Sequence, residues 1–392
     1  MGLHPLAATS SNTALILVEM GGVLVLLGLI SFIATKLKFS AVPFFLLIGL
    51  AFGNGGLIPL NLSDTFLDLG AEWGAILLLL LLGLEYTASE LIGTMRERKS
   101  LALIDLINFI PGVIVALFLG WGFVGALLLG GITYVTSSGI ATQFIKEARW
   151  QRLESTKRSI AVIVIENLVL APYLPILSAI TSAVAVATGL ISISTALIIT
   201  GAALIFSARG GHIPFTPVLF GDTATLLLGV FGAALLASGL ASLVGFSGAV
   251  AAFLVGLLLT GDIAIVARVR LAPLRDLFAS IFFLFFGLTT DPRDIVEVLV
   301  PALVLASLGI ASKFITAWWC VRDVNEPHKV TRAAALLLAR GEFSIVIAGL
   351  GASAAFATDL QALTIGFVII TAFVASWILR VESLRDKTPH LE

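Results

Sequence analysis

Residues 160–177 read IAVIVIENLVLAPYLPIL. The run is apolar enough to cross a bilayer, yet Glu166 and Asn167 stand side by side at its centre, and Pro172 and Pro175 follow. A charge in the hydrocarbon core costs at least about 2.5–3.5 kcal/mol, so a carboxylate at this depth marks a site or a partner. The prolines take away the donors that the carbonyls of Leu168 and Ala171 would use in a helix. In lipid such carbonyls must meet protein or water. The segment is therefore expected to break after Glu166 and to turn this side toward a wet cavity.

The rest of the chain has the same character. Of its 392 residues 59% are hydrophobic and only 12% charged, about half the charge of a soluble domain. An all-α polytopic membrane protein follows. Apolar runs of about 17–25 residues, separated by polar turns, give thirteen spans. They lie near 13–34, 41–59, 68–87, 100–121, 123–144, 158–181, 188–207, 223–243, 246–261, 272–290, 295–320, 331–354 and 361–380. The N-terminus lacks the basic stretch of a signal peptide, so its first apolar run is read as a retained helix. Cys320 is the only cysteine, which excludes an intrachain disulfide.

Charge placement tests the count. With the N-terminus external, 20 of the 23 Lys and Arg residues fall in cytoplasmic loops or the tail, and one, Arg293, falls outside. The other two, Lys313 and Arg340, lie inside spans. Few alternative counts would separate the charges so well under the positive-inside rule. The loop 208–222 divides the chain into similar lengths, a first six-helix repeat at about 13–181 and a second at about 223–380. An odd linker helix at 188–207 gives them opposite topology, a transporter design that places the site at the repeat interface near the midplane. The membrane domain is expected to fill residues 1–390 with no soluble regulatory domain, and Leu391-Glu392 reads as a vector scar.

Four ionisable residues lie mid-span: Glu166, Lys313, Arg340 and Glu342. Glu166 is eight residues from Arg158, Lys313 nine from Arg322, Arg340 eight from Arg332, and Ser137 nine from Lys146. At about 1.5 Å per residue all of them reach roughly 12–14 Å into the bilayer. Thr136, Ser137 and Ser138 therefore share one level with the charges. Spans five and twelve are counterparts in the two repeats, and each carries Gly and hydroxyl residues at mid-depth. These are points where a helix can unwind, so that half-helix ends meet. Glu342 is suited to compensate N-terminal ends and Arg340 C-terminal ends. Lys313 is expected to pair with Glu166. The hydroxyls could alternatively act only as glue between helices. Asp105, Asn108 and Pro111 lie nearer the cytoplasmic end of span four, where a cavity-lining role is unspecific. Glu19 reads as an interface or protomer contact. Glu166 and Glu342 against Lys313 and Arg340 sum to zero.

Six stretches together resemble the monovalent cation–proton antiporters, particularly the Kef-type branch. They are Leu82–Glu85 (LGLE), Ser137–Gly139, Glu166-Asn167 with Ala171-Pro172, Phe282–Leu288 (FFLFFGL), Lys313-Phe314 and Arg340–Ser344 (RGEFS). The resemblance implies the sodium–proton antiporter fold with crossed discontinuous helices and a homodimer. It also implies a core that moves elevator-fashion against a scaffold, and no enzymatic activity. The cargo would be K+, or Na+, exchanged for protons, with no cofactor and no nucleic acid. A separate cytoplasmic regulatory subunit stays open. Kef-type members often carry a nucleotide-binding module beyond the last span, which this sequence lacks. The family usually has aspartate where this chain has Asn167. Either the asparagine replaces a natural aspartate and disables the carrier, or it is native and Glu166 carries the proton alone. A non-transporting or channel-like sensor on the same fold is the competing reading; an organic-anion symporter lacks the cluster of unpaired cations it would need.

Overall fold

The computed structural model describes residues 11–37, 39–53, 55–56, 64–85, 99–182, 223–243, 246–259 and 261–385. The linker span at 188–207, the loop at 208–222 and Leu391-Glu392 lie outside the described residues. All regular structure among those described is helical.

The first repeat opens with α1 (Ser11–Leu37), α2 (Val42–Phe52) and α3 (Asp64–Glu85). Span four is divided: α4 (Lys99–Asp105) runs into a 3-10 turn at Leu106–Phe109, and α5 (Ile110–Phe118) continues. Span five is α6 (Gly122–Tyr134) and α7 (Ser138–Ala148), and span six is α8 (Glu154–Ser182). The second repeat supplies α9 (Thr223–Leu243), α10 (Gly248–Leu258) and α11 (Asp262–Leu288). Span eleven is a short α12 (Pro292–Glu297) and α13 (Leu299–Val321); α14 (Lys329–Leu338), α15 (Glu342–Leu350) and α16 (Ala357–Arg385) close the chain.

Nine helical segments among the described residues are long and apolar enough to cross a membrane. With the shorter apolar helices Val42–Phe52, Gly70–Leu84 and Gly248–Leu258, every expected span that falls within the described residues has its helix. Local chemistry sets several starts. Ser137 and Ser247 cap α7 and α10 by accepting from the backbone N–H groups of Ile140 and Val250, and Asp291 caps α12 through Arg293 N. Pro43, Pro111 and Pro292 sit in first turns, where no donor is required.

Two sets of helices result. α2, α3, α10 and α11 pack as a scaffold whose crossings rest on glycine. A Cβ on Gly49 of α2 would lie 2.3 Å from Leu284 O, and one on Gly287 of α11 would lie 2.5 Å from Leu46 O. The inverted counterpart is the pair Gly83 of α3 and Gly256 of α10, each 2.3 Å from a carbonyl of the other helix, Phe253 O and Leu80 O. The LGLE and FFLFFGL stretches thus occupy matching places in the two repeats, and their glycines let backbones touch. The second set, α4–α8 with α13–α16, surrounds the polar residues.

Three expectations need correction. α8 does not break at its prolines: it is continuous from Glu154 to Ser182 with Pro172 and Pro175 inside. A proline ring within a long, packed helix costs hydrogen bonds without forcing a stop, and the chain breaks in the neighbouring segments instead. The cavity beside this stretch is also small and lined mostly by apolar side chains. It measures only about 20 Å3 and is lined by Leu106, Phe109, Tyr134, Val169, Leu170 and Tyr173. Finally, Arg268, Arg270 and Arg275 do not lie in a loop; they ride on the first turns of the long α11.

Candidate ion-binding site

The unwound segments lie where the Gly and hydroxyl residues stood. Between α6 and α7, Val135 and Ser137 take extended backbone angles; between α14 and α15, Ala339 does the same. The two breaks meet, and Ser137 N donates to Ala339 O at 2.9 Å. Gly341 is required here, because a Cβ would fall 2.9 Å from both Cβ and Oγ of Ser137.

Four half-helix ends therefore converge, and two charged side chains answer them. Arg340 donates from Nη1 to Leu337 O at 3.0 Å and from Nη2 to Thr133 O at 2.9 Å. These are carbonyls from the last turns of α14 and α6, where the helix dipole is negative. Glu342 is the first residue of α15 and accepts from Ser137 Oγ, the cap of α7, at 2.7 Å. Its carboxylate faces the two positive ends. The charges of Arg340 and Glu342 are thus matched to the crossing itself.

Glu166 enters from α8 and is fully buried. Its Oε2 accepts from the unwound backbone at Thr136 N, and its Oε1 accepts from Thr136 Oγ1 at 3.0 Å. Lys313, fully buried on α13, donates from Nζ to Glu166 Oε1 at 2.5 Å, which is the expected pairing. The Tyr134 ring lies below the ammonium, 5.8 Å from its centroid. Thr136 Oγ1 also stands 3.1 Å from Arg340 Nη1 and joins the two clusters.

Asp105 is the residue that the sequence reading left out of the site. It closes α4, is fully buried, and places Oδ1 3.4 Å from Lys313 Nζ. Asn108, on the following 3-10 turn, donates to the same Oδ1 at 2.8 Å and reaches Thr316 Oγ1 at 2.9 Å. By residue counting Asp105 is shallower than the others, six positions from Lys99. The four-carbon stem of Lys313 bridges the difference. The usable signal was the pair Asp105 and Asn108, one turn apart and just ahead of Pro111 in a span otherwise apolar.

With Asp105 included the balance changes. Two carboxylates, Asp105 and Glu166, face one ammonium, Lys313. The cluster is −1 where the sequence reading summed to zero. One monovalent cation or one proton would balance that charge, with no carboxylate needed at position 167. Asn167 is buried on α8 beside Glu166. Ser137 is drawn to Glu342 rather than to Glu166, and Ser138 is a half-buried first residue of α7. The side chain of Glu85 lies outside the described residues.

A family model described as sodium/hydrogen exchanger, transmembrane, matches residues 22–381. The K(+)/H(+) antiporter subunit KhtU of Bacillus subtilis is 29% identical over 371 residues, covering 91% of each chain. The ammonium/H(+) antiporter subunit AmhT of Alkalihalophilus pseudofirmus is 27% identical, covering 90% of each. Among solved structures, the sodium proton antiporter MjNhaP1 of Methanocaldococcus jannaschii superposes with a TM-score of 0.65. It does so over 96% of this chain and 99% of its own, at 20% identity, and so shares the fold.

Proposed function

The chain belongs to the transmembrane sodium/hydrogen exchanger family, and from that premise we propose that it exchanges K+, with Na+ as a possible cargo, for protons. The observation that carries the reading is the buried triplet Asp105, Lys313 and Glu166, one negative charge in excess. A buried surplus charge is costly and is relieved by a bound cation or a proton. Competition between those two for one cluster is the elementary step of an antiporter. K+ is favoured because the relative KhtU is named a K(+)/H(+) antiporter subunit.

The two sets of helices suit an elevator. The scaffold crossings are bare-backbone contacts, whereas the charges lie in the second set, which can move as a body around them. Basic loops face the cytoplasm, so the N-terminus is external and the C-terminus cytoplasmic. A homodimer belongs to the same reading. The surplus charge at Asp105 also bears on Asn167: the site has its charge with the asparagine in place, so the chain as written is competent.

The test is cation-driven proton movement in proteoliposomes. The chain as given is expected to exchange K+ for protons with a marked pH dependence, and Glu166→Gln to abolish exchange. Titrating Na+ against K+ sets the cargo. If neither cation moves protons, the antiporter reading fails. Cation currents without proton coupling would establish the channel-like alternative.

A further inference from the structure

We propose that Asp105 is the proton-carrying carboxylate of the site and that Lys313 changes partner between Asp105 and Glu166 during exchange. The inference rests on the antiporter reading and deepens it. Asp105 has no exposure, and its Oδ1 takes hydrogen bonds from Asn108 and Lys313, while Oδ2 is buried without a hydrogen-bond partner. Asn108 is held in turn by Thr316, so Asp105 is fixed on its Oδ1 side, and the Tyr134 hydroxyl is the other polar group beside its carboxylate. The ionisable groups around it are Lys313 from α13, Glu166 from α8 and Tyr134 from α6, with Arg340 beyond. Lys313 Nζ is 2.5 Å from Glu166 and 3.4 Å from Asp105. A small swing of the lysine stem exchanges the two distances.

The charges close in both forms of this cycle. With no cation bound, Lys313 pairs with Glu166 and a proton sits on Asp105 Oδ2, so the triplet is neutral. When a monovalent cation takes the Glu166 carboxylate and Thr136 Oγ1, the ammonium turns to Asp105. The Asp105 proton then leaves for water, and the triplet with its cation is again neutral. One cation replaces one proton, no covalent bond other than O–H changes, and Lys313 stays charged throughout.

The same three helices offer the proton an exit. Ser100 and Leu101 of α4, Arg158 of α8, and Trp319 and Cys320 of α13 line a cavity of about 380 Å3 toward the basic end. Leu101 lies one turn from Asp105, and Cys320 one turn from Thr316. Arg158, Arg322 and Asp323 stand at its rim, Arg322 paired with Asp323 at 3.6 Å and Arg158 with Glu154 at 3.5 Å, so the mouth is polar and carries both signs of charge.

Infrared difference spectroscopy on the full-length protein in lipid reads the proton directly. Perfusing K+ at constant pH is expected to bleach a protonated-carboxyl band in the parent. Asp105→Asn should remove the band in both the pH-induced and the K+-induced spectra. Glu166→Gln should keep a pH-induced band but move it to lower pH, because Lys313 then pairs with Asp105 alone, and should lose the K+ response. In proteoliposomes Asp105→Asn should lower exchange at least tenfold and flatten its pH profile. The double variant Asp105→Asn with Asn167→Asp, which returns a carboxylate to the site, should recover part of it. A band that survives in Asp105→Asn and vanishes in Glu166→Gln overturns the proposal and puts the proton on Glu166. So does a folded Asp105→Asn protein that exchanges with the parent's rate and pH profile. If the parent transports nothing yet its band depends on Asp105, the proton assignment holds and the antiporter reading is what fails.

Discussion

At Gly83–Gly256 and Gly49–Gly287, helices of the two repeats close on bare backbone, with no room for one carbon more. At 135–137 and 339–341 the repeats also meet, but there the helices come apart. Their exposed ends are answered by Arg340, Glu342 and the hydroxyls of Thr136 and Ser137. Both meetings follow the inverted symmetry. The first spends glycine on proximity and leaves nothing that titrates. The second leaves backbone groups without helical partners and fills the gap with charge. The contrast separates a fixed frame from a site: van der Waals contact without charge has one optimum, whereas a charged cluster has as many as its ions allow.

The largest break in this contrast comes from the polar side. Lys313→Met leaves Asp105 and Glu166 buried without a cation, and removing one partner of a buried ion pair costs about 3–5 kcal/mol. A large fall in Tm is expected, and adding Glu166→Gln to the same chain should return much of it. No recovery in the double variant would mean that Lys313 acts through packing. The scaffold is tested by Gly256→Ala, whose new carbon would stand 2.3 Å from Leu80 O. Overpacking of this kind costs about 1–3 kcal/mol. Its Tm should fall while the pH profile of exchange in the surviving protein stays that of the parent. A displaced profile would show that frame and site are not separable.

The smallest effect concerns the cytoplasmic seam. Glu326, in the loop between α13 and α14, accepts from Glu154 N at 2.7 Å, Ser155 N at 3.3 Å and Ser155 Oγ at 2.6 Å. Partial burial alone would raise its pKa, but these hydrogen bonds and the Arg332 charge outweigh it and hold it below the ordinary value of 4.5. A depressed carboxylate stabilises the fold above its unfolded pKa, and the gain is lost as pH falls through the folded value. The parent should therefore lose stability in acid, below about pH 4.5, that Glu326→Gln lacks from the outset. For a half-exposed group the difference is about 0.5 kcal/mol, read as Tm against pH.

Much of this arrangement was legible in the chain. Apolar length and basic loops located twelve helices, and counting from basic residues put Thr136, Glu166, Lys313 and Arg340 at one level. What misled was the use of depth as the only coordinate. Asp105 is offset along the membrane normal and enters because lysine is long. Side-chain reach is invisible to a count of residues. The prolines of α8 misled differently: local rules assign them a break, but packing on several sides holds that helix together. The breaks came where two glycine-bearing segments could satisfy each other's backbone.

The span of chain between partners bears on how the protein is made. Glu166 and Lys313 are 147 residues apart, and the N-terminal cap of α8 comes from a residue 172 positions later. At about 5–20 residues per second, the ribosome delivers the lysine roughly 7–30 s after the glutamate. For that interval the first repeat holds two membrane-depth carboxylates with no ammonium and a helix start with no cap. It cannot be a finished unit awaiting a copy of itself. The first half is an unfinished surface that the second half completes, and expression of residues 1–182 alone should give the quality-control machinery a substrate rather than half a transporter.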